Sequence, residues 1–260
     1  MELKIYQVDA FTDEVFTGNP AAIVPLDEWL PDETMQKIAM ENSLSETAFF
    51  VPQNDKYHIR WFTPSTEVKL CGHATLASAY VILTLQNNKA DHVIFTSLSG
   101  DLTVTKNNDG FTMNFPVWEY EDTEVTDEVT QALGAKPSAL FKGSKWIALF
   151  DSEETVRNLK PDLEKIKNIK DANGILPTAK GKDVDFVSRN FAPQLGIPED
   201  PVTGSAHCLL TPFWAKRLNK NTLLAYQASE RGGYLKCELK GDRVNITGKA
   251  CLYMKGTIHI

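Results

Sequence analysis

The sequence has few cysteines, few histidines and no long apolar run, and each shortage disfavours a class of protein. Its 260 residues include four cysteines and five histidines, with no C-x-x-C pair and no cysteine–histidine spacing of a zinc finger. The longest apolar-rich run, Ala74 to Leu85, is shorter than the roughly 20 residues that cross a bilayer. We therefore expect neither a disulfide-stapled secreted domain, nor a zinc finger, nor a membrane protein.

Basic charge and cofactor fingerprints are also missing. Lys and Arg total 27 against 34 Asp and Glu, so the net charge is −7, which disfavours a nucleic-acid surface. No dinucleotide-binding glycine fingerprint, P-loop or H-E-x-x-H motif occurs, so we expect no NAD, ATP or metal cofactor. The amino terminus enters a strand-like pattern at Glu2 and has no signal-peptide pattern. Together with free thiols, this predicts a cytoplasmic protein.

The sequence does contain a motif that occurs twice. Arg60 to Pro64 reads R-x-F-T-P and Arg189 to Pro193 reads R-x-F-A-P, 189 − 60 = 129 positions apart. Each copy is followed by an acidic residue, by a glycine that precedes a polar and a small residue (a glycine step), and by an apolar stretch. In the first copy these are Glu67, Cys71-Gly72-His73-Ala74 and Thr75 to Leu85. In the second they are Glu199-Asp200, Thr203-Gly204-Ser205-Ala206 and Cys208 to Leu218. The repeat predicts two similar domains, each with a buried helix, and a small-molecule cleft between them.

Hydrophobic patterning predicts many strands and a few helices. We expect a helix opened by Asp32 and Glu33, a loop over Ser43 to Glu46, and one charged helix over Glu154 to Ile169. The acidic stretch from Pro116 to Val125 is predicted to be irregular and to join the domains. The predicted domains are residues 1–116 and 117–252, with the strand at 253–260 returning to the first. Strands and helices do not alternate regularly, which disfavours a doubly wound sheet.

The glycine steps are candidate ligand sites on local physics alone. Gly72 and Gly204 each stand where a loop enters an apolar helix, and glycine lets a ligand approach the backbone. First-turn amides and the helix dipole favour an anion such as a carboxylate or enolate. Cys71 is either a thiolate promoted by the helix start or a small buried side chain. Asp200 and His73 could each have an ordinary structural role instead of binding a ligand: Asp200 as a turn carboxylate and His73 as a histidine at a helix start.

Several blocks, in order along nearly the whole chain, resemble the phenazine-biosynthesis (PhzF-like) family. They are Asp9 to Thr12 with Phe16 to Ala21, Leu44 to Thr47, Phe62 to Pro64 with Gly72 to Thr75, and Glu199 to Cys208. The E-D-P-V-T-G-S-A block is the most specific. The resemblance implies a diaminopimelate epimerase-like α+β fold of two pseudo-symmetric domains. Each domain would be a mostly antiparallel sheet rolled around a central helix, with the active site between the domains.

The same resemblance implies roles for individual residues. Glu46, an ordinary surface acid on local physics, becomes the general acid/base of a cofactor-independent isomerase. That enzyme would move a proton on a small, carboxylate-bearing metabolite, and a closed apolar cleft would raise the pKa of the glutamate toward neutrality. The residues implied to bind the substrate are His73, Asp200, Ser205, Gly72 and Gly204.

One departure from related enzymes leaves alternatives open. Related epimerases and racemases use two facing cysteines, whereas here Cys71 has no counterpart before Thr203. A two-thiol racemase is therefore disfavoured. A racemase or epimerase in which Cys71 faces Asp200 or Glu46 stays open, as does a non-catalytic small-molecule binder of the same fold. A homodimer is a further expectation, and the sequence does not specify the substrate.

Overall fold

The structure, a computed structural model, describes residues 1–86 and 89–260. It divides into two compact units: residues 1–114 with 247–260 form unit 1, and residues 115–246 form unit 2. Both units combine a mixed sheet with helices, so the predicted α+β class is confirmed. Within the described ranges, no helix is both long enough and apolar enough to cross a membrane.

The strands and helices are numbered in chain order. The strands are β1 (Glu2–Ala10), β2 (Asn19–Pro25), β3 (Glu46–Gln53), β4 (Lys56–Phe62), β5 (Glu67–Val68), β6 (His92–Ser97), β7 (Gly100–Asn107), β8 (Gly110–Pro116), β9 (Tyr120–Thr123), β10 (Ala139–Gly143), β11 (Trp146–Leu149), β12 (Ile175–Lys180), β13 (Phe186–Ser188), β14 (Thr222–Gln227), β15 (Gly233–Lys240), β16 (Arg243–Gly248) and β17 (Ala250–His259). The α-helices are α1 (Asp32–Asn42), α2 (Gly72–Tyr80), α3 (Asp127–Leu133), α4 (Glu153–Asn158), α5 (Leu163–Asn168) and α6 (His207–Leu218).

The two units repeat one strand topology. In unit 1 the strands pair in the order β17-β1-β2-β3-β4-β6-β7-β8, and only β2–β3 and β4–β6 among these pairs are parallel. In unit 2 the order is β9-β10-β11-β12-β13-β14-β15, with β11–β12 and β13–β14 parallel. The runs β1-β2-β3-β4-β6-β7 and β10-β11-β12-β13-β14-β15 therefore alternate antiparallel and parallel pairs identically. The sequence repeat is thus a repeat of architecture.

Helix α2 is the central helix of unit 1. Every residue from His73 to Ala79 is buried, and the helix contacts β1, β2, β3, β7 and β17. A helix that is buried on all sides suits a position surrounded by sheet, and the hydroxyls of Thr75 and Ser78 are satisfied within it by the carbonyls of Cys71 and Ala74. The chain continues past Tyr80 as a π-helical turn, Val81–Leu85. The predicted helix is therefore present but begins at the glycine step itself.

Helix α6 is the corresponding helix of unit 2. It contacts β14 and β15, and the Trp214 ring stacks on Phe186 of β13 at 5.7 Å. Pro212 lies inside the helix, where proline cannot donate to the carbonyl four residues earlier. That carbonyl, on Cys208, instead accepts from the Trp118 backbone amide at 3.1 Å. The core contact on one side and this substitute bond on the other keep the helix intact across the proline.

Three local predictions are wrong. Glu46 is the first residue of β3 rather than part of a loop. The stretch from Pro116 to Val125 is not wholly irregular, because β9 pairs with β10 although its central acids are exposed. The predicted helix over Glu154 to Ile169 is two short helices, α4 and α5. Pro161 lies in the gap between them, where proline disfavours helical geometry in the residue before it.

Candidate active site

The repeated arginine holds the loop that precedes each glycine step. In unit 1 the Arg60 guanidinium donates from Nε and Nη2 to the two carboxylate oxygens of Glu67, each at 2.7 Å. In unit 2 Arg189 makes the same two bonds to Glu199, at 2.7 and 2.8 Å. Each guanidinium also lies over its motif's phenylalanine, at 5.1 Å in unit 1 and 4.7 Å in unit 2. Such bidentate pairs fix geometry, so the motif positions the loop.

In unit 1 the fold brings Glu46 and His73 together. Glu46 begins β3, which pairs in parallel with β2 so that Glu46 lies opposite Ala21. His73 is the second residue of α2. His73 Nε2 lies 3.3 Å from Glu46 Oε2, and both side chains are buried. A carboxylate and an imidazole that are 27 positions apart in the sequence (73 − 46 = 27) therefore share one buried pocket at the start of a central helix.

His73 is uncharged at neutral pH. Burial lowers the pKa of His73 to about 3, because a buried imidazolium lacks hydration. Its Nδ1 lies 3.2 Å from Asn19 Nδ2, and an amide nitrogen is a donor, so Nδ1 accepts. The proton of the neutral imidazole is therefore on Nε2. The 3.3 Å contact between Nε2 and Glu46 Oε2 is a close approach of a neutral imidazole to a carboxyl group and not an ion pair.

Cys71 and Gly72 complete the cluster of unit 1. Cys71 is the N-cap residue of α2, and its side chain makes no cap hydrogen bond. Its Sγ lies 3.4 Å from His73 Nδ1 and 4.0 Å from Nε2. Gly72 begins the helix and is half-buried. Backbone amides of this first turn stand at the positive end of the helix dipole beside the Glu46 carboxylate, an arrangement that suits binding of an anion.

In unit 2 a polar network holds the block that contains Asp200. The Thr203 hydroxyl donates to Asp200 Oδ2 at 2.5 Å and accepts from Asn190 Nδ2 at 2.7 Å. Gln227 Nε2 donates to the Asp200 carbonyl at 2.6 Å, and Gln227 Oε1 accepts from the Thr203 amide at 2.8 Å. Gly204 is buried and the next residue, Ser205, is half-buried. Each residue of this network is thus fixed by at least one buried partner.

The glycine step of unit 2 differs from that of unit 1. Backbone bonds from His207 to the Gly204 carbonyl, at 3.0 Å, and from Cys208 to the Ser205 carbonyl, at 3.1 Å, form a tight turn ahead of α6. The helix itself begins at His207. Gly204 therefore opens a turn that leads into the helix, whereas Gly72 is the first helical residue.

The structure adds polar residues to those that the sequence patterns indicate. Lys145 is buried, and its Nζ donates to the Asn173 carbonyl at 3.1 Å. Burial lowers the pKa of Lys145, and the charge of Asp200 opposes that shift. Asn19 and Asn190 lie inside two of the motifs, F-T-G-N-P and R-N-F-A-P, so the motifs themselves were the available signal. Nothing in the local sequence distinguishes Lys145 or Gln227.

The described residues thus contain two clusters, one in each unit. Glu46, Cys71, Gly72 and His73 lie together in unit 1. Asp200 belongs to the unit 2 network, with Gly204 and Ser205 in the turn that follows it. That the second cluster binds the same substrate as the first stays a prediction.

Comparison with known proteins gives consistent results. A family model described as phenazine biosynthesis-like protein matches residues 8–256. The chain is 47% identical to an uncharacterized isomerase of Pseudomonas aeruginosa over 260 residues, covering 100% of both chains. It is also 47% identical to a PhzF-family phenazine biosynthesis protein of Enterococcus faecalis, whose crystal structure matches 100% of both chains with a TM-score of 0.98.

A more distant likeness concerns the fold alone. The structure of a predicted epimerase from Pseudomonas aeruginosa is 19% identical, covers 98% of this chain and 99% of that chain, and gives a TM-score of 0.75. These similarities confirm the predicted resemblance and the epimerase-like α+β fold.

Proposed function

The chain belongs to the PhzF-like family of phenazine biosynthesis-like proteins and is, like its curated relatives, an isomerase; we propose that it acts without a cofactor, by proton transfer, with Glu46 as general acid/base. The contact of the buried Glu46 carboxylate with His73, at 3.3 Å, carries the proposal. It places a titratable oxygen, a neutral donor and a helix start in one pocket, the set that proton transfer at carbon needs.

The proposed reaction conserves atoms and electrons. The Glu46 carboxylate takes a proton from a carbon next to a carbonyl or carboxylate group of the substrate. The electron pair of that C–H bond moves into the adjoining π system, and negative charge develops on the substrate oxygen. Glu46, now a carboxylic acid, returns the proton to a second carbon of the same molecule. The product is an isomer, and no group is oxidised or reduced overall.

Two features of unit 1 would stabilise the intermediate. The first-turn amides of α2 begin at Gly72, and their positive partial charges favour an enolate or carboxylate oxygen. His73 is neutral and its Nε2 lies 3.3 Å from Glu46 Oε2, so it packs against Glu46 without adding a positive charge that would hold the carboxylate ionised. The substrate class that fits is a small metabolite bearing a carboxylate.

The proposal keeps Asp200, Gly204 and Ser205 of unit 2 as substrate-binding residues. The support is their rigidity: Asp200 is buried and is held by Thr203 at 2.5 Å. The charge of Asp200 also acts on the buried Lys145, where it opposes the lowering of the lysine pKa by burial. A fixed carboxylate suits recognition of a hydroxyl or amino group on the substrate.

A second candidate is favoured by one observation. Cys71 Sγ lies 3.4 Å from His73 Nδ1, which is the neighbourhood of a thiol acid/base. In this second hypothesis the protein is a racemase or epimerase, in which Cys71 and Glu46 exchange protons with the same carbon. The non-catalytic binder is the third candidate, and it predicts ligand binding without turnover.

Hydrogen isotope exchange tests the proposal and identifies the substrate in the same experiment. The purified protein is incubated with a metabolite extract in D₂O, and chromatography with mass spectrometry follows compounds that, only in its presence, either gain one deuteron by exchange of the Glu46 proton with solvent or change into an isomer of equal mass. Each compound found is then assayed with Glu46→Gln and Cys71→Ala. We expect Glu46→Gln to lose about 10²- to 10⁴-fold in turnover, the usual contribution of a positioned acid/base, and Cys71→Ala to retain most of it.

The outcomes separate the three candidates. An inactive Cys71→Ala with an active Glu46→Gln would replace this mechanism by the thiol mechanism. Ligands that bind with no isotope gain and no isomer formed would support the binder. Thermal unfolding of each variant without ligand shows whether lost turnover reflects lost folding.

A further inference from the structure

Sequence spacing gives no sign of a metal site, yet within residues 1–86 and 89–260 the fold brings a set of three metal-ligating side chains together. One potential ligand atom from each of Glu46, Cys71 and His73 lies within 4.8 Å of the other two, and all three residues are buried. Cys71 and His73 flank the first residue of α2, and Glu46 arrives on the neighbouring end of β3. Ligands drawn from separate elements escape any search for C-x-x-C or zinc-finger spacing.

We propose that Glu46, Cys71 and His73 form a binding site for Zn²⁺, and that the bound ion inhibits the isomerase by occupying its acid/base. The binding part stands on geometry alone. The inhibition part rests on the proposed function, because it assumes that Glu46 transfers the proton.

The donor set selects a thiophilic transition metal. Zn²⁺ binds sulfur at about 2.3 Å, imidazole nitrogen at about 2.0–2.1 Å and carboxylate oxygen at about 2.0–2.2 Å, in tetrahedral geometry. These lengths place neighbouring ligand atoms roughly 3.3–3.6 Å apart. His73 Nε2 lies 3.3 Å from Glu46 Oε2 and 4.0 Å from Cys71 Sγ, and the three ligand atoms lie within 4.8 Å of one another. The site therefore closes on an ion when the thiol moves toward both partners. Ca²⁺ and Mg²⁺ prefer oxygen ligands only.

The protons balance on binding. The Cys71 thiol releases its proton to solvent, because the metal ligand is the thiolate. His73 keeps one proton, which moves from Nε2 to Nδ1 so that the Nε2 lone pair faces the ion. Asn19 lies 3.2 Å from Nδ1, and a half-turn of its amide presents an oxygen that accepts the Nδ1 proton, the supporting bond that metal-bound histidines usually have. Three protein ligands leave a tetrahedral ion one position for water.

Inhibition follows from what the ion occupies. A Glu46 oxygen that coordinates Zn²⁺ cannot accept a proton from carbon, and a His73 nitrogen that coordinates the ion no longer offers a proton to the site. Both groups regain their roles when a chelator removes the ion. A catalytic zinc would have the opposite effect, since activity would then need the ion.

Cobalt is the probe for the binding part. Reduced, chelator-treated and desalted protein is titrated with Co²⁺, and a thiolate-to-cobalt charge-transfer band in the near ultraviolet is expected at one ion per chain. Added Zn²⁺ should displace it. Cys71→Ser should lose the band, and Glu46→Gln should keep the band while binding Zn²⁺ at least about 10-fold more weakly. Cys251→Ser, a thiol outside the cluster, is the matched control and should keep both.

Absence of the band, or its persistence in Cys71→Ser, would overturn the site. Circular dichroism of each variant excludes misfolding, and Glu46→Gln gives an independent result if Cys71→Ser does not fold. The isotope-exchange assay with and without stoichiometric Zn²⁺ tests inhibition, which EDTA should reverse. Zinc that binds through these ligands but leaves exchange unchanged would overturn inhibition and leave the site standing. If Glu46→Gln keeps its turnover while zinc still binds at the site, that result would count against the proposed function alone.

Discussion

Acid should destabilise unit 2 through one histidine that has no part in the proposed chemistry. His207 begins α6 and is fully buried. Its Nδ1–H donates to the Thr203 carbonyl at 2.9 Å, and among residues 1–86 and 89–260 its Nε2 has no hydrogen-bond partner. Burial lowers the pKa of His207 to about 4 from 6.5. Protonation therefore places a cation where neither water nor a partner receives it.

The sign and size of the effect follow from proton linkage. Below pH 6.5 the unfolded chain binds a proton at this histidine, whereas the folded protein does so only near pH 4. The contribution of His207 to the unfolding free energy therefore falls as the pH drops from 6.5 to 4 and is constant outside that window. The pKa of His207 differs between the unfolded and folded states by 6.5 − 4 = 2.5 units. At roughly 1.4 kcal/mol per unit, the full loss of unfolding free energy is about 3 kcal/mol, and about 2 kcal/mol of it is reached by pH 5.

The test compares His207→Gln with the unsubstituted protein. Gln retains an amide donor for the Thr203 carbonyl and does not titrate. Urea unfolding at pH 7.5 and pH 5 gives the acid-induced loss of unfolding free energy for each protein. His73, with its pKa lowered to about 3 by burial, contributes a similar loss of about 2 kcal/mol at pH 5 in both. We expect the variant to lose about 2 kcal/mol less on acidification than the unsubstituted protein, whatever its stability at pH 7.5.

His92→Gln, at an exposed histidine, controls for the loss of an imidazole as such. Equal acid-induced losses for His207→Gln and the unsubstituted protein would refute the argument. Such a result would mean that the pocket around α6 admits water or supplies Nε2 with a partner.

Three further predictions concern packing and positioning. In Gly248→Ala the new Cβ would lie 2.3 Å from Phe11 Cδ1, so we expect about 1–3 kcal/mol of destabilisation by urea unfolding; an unchanged midpoint would contradict the close packing. Thr203→Val removes the hydroxyl that holds Asp200 at 2.5 Å and should cost about 1–3 kcal/mol, while Thr203→Ser should recover most of it. Arg189→Lys loses a bidentate pair and should destabilise by about 1 kcal/mol; equal stability would show that one charge suffices.

Features with purely local causes were predictable from the sequence. Helix α3 has a local signal at each end: the Thr126 side chain accepts from the Val129 amide, and Gly134 adopts the left-handed backbone of a helix end. Strand β15 alternates buried and exposed residues over its first half, so the alternation of its sequence records one buried face. The doubled arginine motif predicted duplicated architecture because each copy builds the same strand, loop and helix start.

The cluster around Glu46 needed information that no local window holds. Asn19 and Glu46 begin adjacent strands of one parallel pair, and His73 reaches them only because α2 packs against that pair. The register of β2 on β3 is set by the buried faces of both strands. A window around Glu46 does not contain the partner strand, and its local pattern therefore predicts a loop. The neutrality of His73 has the same origin, because the depth of burial sets the pKa.

The pairing of β1 with β17 has a consequence for how the protein is made. Unit 2 is continuous in the chain, whereas unit 1 is assembled from residues 1–114 and 247–260. A ribosome therefore delivers all of unit 2 before β17, which covers one edge of β1, exists. Through that interval β1 presents an unpaired edge, the kind of surface that invites association between nascent chains. The half of the enzyme that carries Glu46 and His73 is the first to be translated and the last to be completed.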